Sequence, residues 1–252
     1  MFKHHASADL EAEHRAERIR SRLDGGHDNS YLGDAVLGGI DGCVTTFAVV
    51  AGVTGAALPS GVAVILGLAN LLADGFSMAA GNYQSGRTEQ ERLARARAHE
   101  ERHIEHVPEG EREEVRQIYA RKGFEGEALE HAVDTITSDR KRWVDTMITE
   151  ELGLPLQVPD PVRIALATFA AFVTVGLVPL LPFFVPGLGP DATFGASCVM
   201  TAVAFFGIGS IKGHRLGTSR WRGGLETLLV GGIAAVLAYA VGAWLRSAFG
   251  VI

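Results

Sequence analysis

The chain has 252 residues, of which 47% are hydrophobic and 21% are charged, and its formal net charge is −6. The charge is segregated: residues 86–161 hold 18 of the 29 acidic residues, and long apolar stretches carry almost none. These stretches indicate a membrane protein rather than one or two soluble domains. Both cysteines lie in apolar runs, which argues against a disulfide framework or a thiolate metal site.

The N-terminal part of the chain is polar and leads into two apolar segments. Residues 1–33 contain no apolar signal-peptide core, and residues 9–23 have the pattern of an amphipathic helix. The first predicted span covers residues 34–57 and the second covers residues 61–83. No helix breaker separates the second span from the charged run after it. We therefore predict one helix that leaves the membrane and continues up to Pro108.

The acidic segment is predicted to form three further helices before the chain returns to the membrane. These helices are expected over residues 109–122, 125–136 and 139–152, with Ser138 as the N-cap of the last one. A proline-containing linker follows. The remaining predicted spans cover residues 162–181, 192–211 and 223–244.

Lysine and arginine are concentrated in alternate loops, and cytoplasmic loops are the ones that carry an excess of these residues. Residues 1–33 have 5 lysines and arginines, residues 86–163 have 13 and residues 212–222 have 4. Residues 54–60 and 182–192 have none, and the C-terminus has 1. This pattern predicts an all-α membrane protein with five transmembrane helices per subunit. Its N-terminus and a helical insert between helices 2 and 3 would be cytoplasmic. The predicted domain limits are 1–33, 34–85, 86–161 and 162–252.

Two carboxylates lie inside the first two predicted spans, where an unpaired charge costs roughly 3 kcal/mol or more. Asp41 has Thr45 one turn later, and Asn70, Asp74 and Met78 form a stripe at i, i+4 and i+8. Carboxylate and amide oxygens suit hard cations, and a thioether adds a preference for transition metals. If the two stripes face each other, they predict a pathway for a partly dehydrated divalent metal. The alternative is that the acids only form interhelical hydrogen bonds.

The acidic insert repeats residue pairs that are typical of metal sites. A Glu-x-x-His pair with carboxylates from neighbouring helices resembles the ligand pattern of di-iron helical bundles. The alternative is a solvated charged surface, on which Arg97, Arg102 and Arg112 pair with the acids. The candidate ligands are Glu100 with His103, Glu111 with Glu114, and Met147 with Glu151.

Five short motifs resemble the vacuolar iron transporter family. The first span contains GGIDG at residues 38–42 and TTFAVVAG at residues 45–52, and the second contains ADGFSMAAG at residues 73–81. EELGL at residues 150–154 and KGH at residues 212–214 also resemble that family. Each motif alone is weak, but the combination is specific and extends over nearly the whole chain.

The resemblance implies a homodimer of five-helix subunits, with a cytoplasmic metal-binding domain on an extended second helix. It also implies export of Fe²⁺, and often Mn²⁺, from the cytosol by proton antiport. Asp41 and Met78 would be the membrane ligands. The ligands of the cytoplasmic site would be Glu100, Glu111, Glu114, Met147 and Glu151.

Two positions depart from the family pattern. Asn70 stands where plant-type members carry a glutamate, so proton coupling would depend on Asp74 or Asp41. His103 stands where members carry a further carboxylate, which makes the cytoplasmic site less anionic. Fe²⁺ and Mn²⁺ are the expected transported ions, and Zn²⁺ and Co²⁺ are further candidates for the cytoplasmic site.

These patterns predict a divalent-metal exporter and not an enzyme, because we find no nucleophile–base pair or phosphate-binding loop. Its expected partners are a second copy of the chain, the lipid bilayer, metal ions and protons, with no nucleic acid. Four glycines in the spans are expected to let two subunits approach closely. They are Gly38, Gly42, Gly75 and Gly81.

Two other classes of protein stay open at this point. One is a membrane-anchored iron-binding or ferroxidase-like protein that transports nothing, and the other is a signalling or scaffold protein without metal dependence. The basic loops and the lack of a targeting signal favour a prokaryotic plasma membrane, or a vacuolar-type membrane if the host is a eukaryote.

Overall fold

The computed structural model describes residues 12, 14–24, 31–215 and 217–250. The described residues up to Tyr31 belong to a first unit. Its described part contains helix α1 (Ala16–Asp24), which has Glu17 in the first turn, where a carboxylate interacts favourably with the helix dipole. Much of the first half of the helix predicted over residues 9–23 lies outside the described residues.

Residues 32–252 form a second unit, and every regular element in its described part is helical. The α-helices are α2 (Leu32–Gly55), α3 (Ser60–His106), α4 (Pro108–Arg121), α5 (Gly126–Thr137), α6 (Arg140–Thr146), α7 (Pro161–Gly176), α8 (Pro190–Arg215) and α9 (Arg220–Phe249). A π-helical turn, Met147–Glu151, follows α6, and a 3₁₀ segment, Val178–Phe184, follows α7.

Four helices, α2, α3, α8 and α9, are long and apolar enough to cross a membrane. Helix α7 and the 3₁₀ segment are long and apolar enough to cross a membrane only when taken together, and they meet at a bend of 42°. They form a fifth span only if the two segments are counted as one broken span. The span predicted over residues 162–181 is therefore broken. The reason is that Pro179 and Pro182 lack the N–H group that an α-helix needs. On α8, the buried hydroxyl of Ser197 donates to the Pro179 carbonyl at 2.7 Å.

Helix α2 is the central apolar helix, in contact with α3, α7, α8 and α9. Of the most apolar 18-residue stretch of α2, 50% is buried, whereas the buried share of the corresponding stretch of α9 is 11%. The glycines of α2 and α3 explain the close contact with α7, because a Cβ atom on Gly42 would overlap backbone atoms of Phe172. Gly38 and Gly75 also face α7 of the same chain. Gly38, Gly42 and Gly75 therefore serve a contact within the chain and not the predicted contact between subunits, whereas Gly81 has open space around it and stays a prediction.

Helix α3 has 47 residues and continues unbroken from its apolar half to His106, as predicted. Its polar half, α4, α5, α6 and the π-helical turn together form what we call the acidic bundle. The bundle has an apolar core of its own. The core residues are Ile104, Val115, Val133, Ile136, Trp143, Val144, Met147, Ile148 and Leu154.

The start of α6 differs from the prediction by one residue. Asp139 caps this helix, because its carboxylate accepts a hydrogen bond from the Arg142 N–H group at 2.7 Å. Ser138, the predicted cap, instead ends α5, and its hydroxyl donates to the Thr135 carbonyl at 2.8 Å. Two capping residue types stand side by side here, and only the fold decides between them.

Candidate metal sites

Two carboxylates occur within the apolar helices, Asp41 on α2 and Asp74 on α3. Asp41 is half-buried and Asp74 is exposed on the isolated chain. Helices α2 and α3 pack together, so the two carboxylates lie on neighbouring helices. Within the described residues, neither side chain has a hydrogen-bond or ion-pair partner. The two acids are therefore free to interact with a cation.

The other three predicted pathway residues differ in their contacts. The Thr45 hydroxyl donates to the Asp41 carbonyl at 2.9 Å and so bonds within its own helix. Asn70 is half-buried, and its side-chain nitrogen has no partner. Met78 is half-buried and packs against the apolar cluster that contains Phe172. Asn70 thus has a free polar atom, whereas Thr45 and Met78 make ordinary structural contacts.

Two buried glutamates occupy the acidic bundle, Glu100 on α3 and Glu111 on α4, with exposed fractions of 2% and 4%. The Oε1 atom of Glu100 lies 3.3 Å from Nδ1 of His99. In the same way, the Oε1 atom of Glu111 lies 3.0 Å from Nδ1 of His103. The Oε2 atom of each glutamate is buried without a partner. A buried, unpaired carboxylate oxygen is costly, so both glutamates favour a nearby positive charge.

The remaining predicted ligands come from α4 and the π-helical turn. Glu114 and Glu151 are exposed, whereas Met147 is fully buried in the bundle core. Met147 and Glu151 begin and end the π-helical turn, in which the Leu152 N–H group donates to the Met147 carbonyl at 3.1 Å. The regular helix predicted over residues 139–152 is therefore wrong in its second half. Such π-helical turns are frequent at functional sites.

The acids of the bundle repel one another. Burial raises the pKa of Glu111, and the carboxylates of Glu114 and Glu100 raise it further, although the imidazole of His103 opposes the rise. Burial also raises the pKa of Glu151, and the same two carboxylates add to that rise. A divalent cation placed among these groups would relieve the repulsion.

The arginines of the bundle interact with other groups. Arg97 lies 2.7 Å from a carboxylate oxygen of Asp145, and Arg112 forms an ion pair with Asp134. The Arg102 guanidinium donates to a backbone carbonyl of its own helix at 3.2 Å. In the part of the chain that the structure describes, no lysine or arginine lies within ion-pair distance of the four candidate glutamates. These arginines therefore do not neutralise the candidate ligands.

The candidate ligands do not yet surround a common point. Among residues 31–215 and 217–250, no three histidine, cysteine, aspartate or glutamate side chains are arranged so that they could hold a metal ion. The bundle instead presents two histidine–glutamate pairs with Glu114 and Glu151 nearby. These groups would have to draw together around an ion.

Sequence reasoning missed His99. This residue lies one turn before His103 on α3, and the centroids of the two imidazole rings are 3.9 Å apart. The signal that could have found it is the i, i+4 spacing, because residues four apart share one face of a helix.

We expect the metal-free bundle to become less stable as the pH rises above 4.5, the ordinary pKa of a glutamate. The raised pKa values of Glu111 and Glu151 mean that the folded state holds protons that the unfolded chain has already lost. The free energy of unfolding must then fall with increasing pH until these folded-state pKa values are passed. Chemical unfolding of the purified protein in detergent, followed by circular dichroism at several pH values, measures this slope.

The matched control for this slope is the double variant Glu111→Gln plus Glu151→Gln. It should show a smaller fall in the free energy of unfolding over the same pH interval. Saturating Mn²⁺ should also reduce the fall, because the metal replaces the protons. An equal slope in the variant and the original chain would contradict the assignment of buried, mutually repelling acids.

The helices and the unpaired acids together define a polytopic α-helical membrane protein that carries an acidic bundle. This chain belongs to the VIT family, whose sequence pattern matches residues 32–243. A vacuolar iron transporter from Toxoplasma gondii is 34% identical over 251 residues, which cover 96% of this chain and 81% of the relative. Vacuolar iron transporter 1 from Arabidopsis thaliana is 35% identical over 209 residues, or 82% of each protein. A vacuolar iron transporter from Plasmodium berghei is 27% identical over 256 residues, or 98% of this chain and 90% of the relative.

The family membership confirms the resemblance that the sequence motifs carry. Members of the VIT family are transporters, so the prediction that this chain is not an enzyme is also confirmed.

Proposed function

We propose that this protein exports Fe²⁺, Mn²⁺ or both from the cytosol in exchange for protons. The observation that carries the proposal is the presence of two acids, Asp41 and Asp74, that have no partner among the described residues and lie on apolar helices that pack together. An anchoring helix gains nothing from such acids, which cost roughly 3 kcal/mol or more each in the membrane. A pathway for divalent cations requires them. The names of the relatives favour iron as the transported ion.

The metal ligands in the membrane would be Asp41 and Met78, with Thr45, Asn70 and Asp74 along the same pathway. A carboxylate must be ionised to bind metal, so protonation of Asp41 or Asp74 weakens binding. This competition is a physical basis for antiport: the ion leaves as a proton arrives. Because Asn70 cannot bind a proton as a carboxylate can, the exchange would depend on the two aspartates.

A homodimer would complete this pathway. Asp74 is exposed on the isolated chain, and in a monomer it would face lipid. A second copy of the chain that covers the Asp74 side of α3 would remove this cost and enclose the pathway between two subunits. Because Gly38, Gly42 and Gly75 are already in contact with α7, the dimer would have to form through other residues of α3.

The acidic bundle would lie in the cytoplasm and collect the ion first, through Glu100, Glu111, Glu114 and Glu151. The concentration of lysine and arginine in residues 86–163 supports this orientation, with five spans and a cytoplasmic N-terminus. The domain limits predicted from the sequence, with an insert over residues 86–161, fit this arrangement. The host membrane would be a prokaryotic plasma membrane, or a vacuolar-type membrane in a eukaryote.

Reconstitution into sealed proteoliposomes tests the proposal directly. A metal-sensitive dye inside the vesicles reports entry of Fe²⁺ or Mn²⁺, and a pH-sensitive dye in a parallel sample reports proton movement. We expect metal entry to require the protein, to increase with an inside-acid pH gradient and to be accompanied by proton efflux. Metal binding without any flux would overturn the proposal and favour the membrane-anchored metal-binding protein instead.

A further inference from the structure

Two neighbouring imidazoles of α3, those of His99 and His103, form a feature that the carboxylate ligands do not explain. The His99 and His103 rings are 3.9 Å apart, and each is in contact with a different buried glutamate through Nδ1. Their side chains are about half exposed, at 53% and 48%. The pair therefore lies between solvent and the two buried glutamates.

The contact through Nδ1 has a chemical consequence. A neutral imidazole that donates its Nδ1–H group to a carboxylate keeps the lone pair of Nε2 free, which is the arrangement that orients histidines on metal ions. The two histidine–glutamate pairs repeat this arrangement side by side. In both pairs the second glutamate oxygen, Oε2, is buried and without a partner. Two nitrogen donors and two anionic oxygens thus occur within one part of the bundle.

We propose that His99 is a metal ligand beside His103, and that this imidazole pair makes the acidic bundle prefer Zn²⁺-like ions over Mn²⁺. Imidazole nitrogen suits zinc and the later transition metals, whereas carboxylate oxygen suits manganese. A bundle with two imidazoles and carboxylates should therefore discriminate between ions that an all-carboxylate bundle would bind more evenly. The inference rests on the proposed metal-collecting role of the bundle and adds to it a residue that determines ion preference.

X-ray absorption of Zn²⁺ bound to the full chain in detergent tests the ligand assignment, because imidazole rings give a distinct scattering pattern. We expect two imidazoles on the bound zinc in the original chain and one in His99→Ala. His106→Ala is the matched control, since His106 lies on the same helix but contacts the backbone carbonyl of Arg102. That control should retain two imidazoles.

Calorimetric titration with Zn²⁺ and with Mn²⁺ at one fixed pH tests the preference. His99→Ala should lower the affinity for Zn²⁺ at least about 10-fold and change that for Mn²⁺ much less. His99→Glu provides a second variant that keeps a ligand at this position, and it should bind Mn²⁺ at least as well as the original chain while losing affinity for Zn²⁺.

Fewer than two imidazoles on zinc in the original chain, or an unchanged ratio of Zn²⁺ to Mn²⁺ affinity in both His99 variants, would overturn the inference. Flux in proteoliposomes is a separate measurement. A chain that shows two imidazoles on zinc but no flux would disprove transport and leave the ligand assignment intact. A chain that transports normally but shows only one imidazole on zinc would disprove the ligand assignment and leave transport intact.

Discussion

Proteoliposomes that contain the Asp41→Ala variant should show no more Fe²⁺ or Mn²⁺ flux than protein-free vesicles. The Asp41 carboxylate is the only acid on α2 beyond its first turn. Without it, an ion in the apolar part of the pathway would lack an anionic ligand from that helix. Asp74 is then the one acid left to compensate for the loss of hydration of a divalent ion, and the higher energy barrier reduces passage below detection.

The variant should nevertheless fold. Asp41 has no hydrogen-bond or ion-pair partner among the described residues, so its removal breaks no contact. Removal also relieves the cost of a charge in the membrane, roughly 3 kcal/mol. Asp34→Ala is the matched control, because Asp34 is the other acid of the same helix and lies in its first turn, where it is half-buried. Normal flux in Asp41→Ala, or equal loss in both variants, would contradict the assignment of Asp41.

The double variant Glu111→Ala plus Glu114→Ala should mainly raise the metal concentration needed for half-maximal flux, by about 10- to 100-fold. Its maximal rate should change little. Both residues come from α4 in the acidic bundle, away from the acids of α2 and α3 in the apolar helices. Their loss removes one buried and one exposed carboxylate from the collecting site, so capture at low concentration suffers while passage through the membrane does not.

Glu113→Ala is the matched control for the double variant. Glu113 lies between the two residues on α4 but is exposed and forms an ion pair with Arg116. Exposed ion pairs contribute little to stability, so this variant should keep the original concentration dependence. Initial rates of dye response over a range of Fe²⁺ concentrations give the maximal rate and the half-maximal concentration separately. A fall in the maximal rate with an unchanged half-maximal concentration would place these glutamates in the membrane step.

The helices themselves were largely predictable from the sequence, because apolar length and breakers decide them. The long helix α3 was predicted because no proline or glycine pair interrupts the change from apolar to charged residues. The break in the third span was not, although Pro179 and Pro182 were visible, because the apolar composition continues through it. The π-helical turn at Met147 has no comparable local signal, since it depends on packing within the bundle.

For the candidate sites, the sequence could predict which residues share a helix face, but it could not predict which side chains contact each other. Spacing placed Glu100 and His103 on one side of α3, but it could not show that Glu111 pairs with His103 or that His99 pairs with Glu100. In the same way, spacing could not show that Gly42 contacts α7 of its own chain. The contacts of Glu111 and Gly42 depend on which helix becomes the neighbour, and the His99–Glu100 contact depends on side-chain conformation within α3. A single helical pattern contains neither kind of information.

The unbroken helix α3 also determines how far apart the two sites are. Met78 and Glu100 lie on this same helix, and at a rise of 1.5 Å per residue they are about 33 Å apart along its axis. No side chain bridges such a distance, so a bundle that collects the ion, as proposed above, would have to release it into solution near the membrane. Such a bundle would have to release the metal ion quickly. With capture at about 10⁸ M⁻¹s⁻¹, nanomolar binding would hold each ion for about ten seconds, whereas micromolar binding would free it in about ten milliseconds. The length of α3 therefore predicts weak, rapidly reversible metal binding in the acidic bundle.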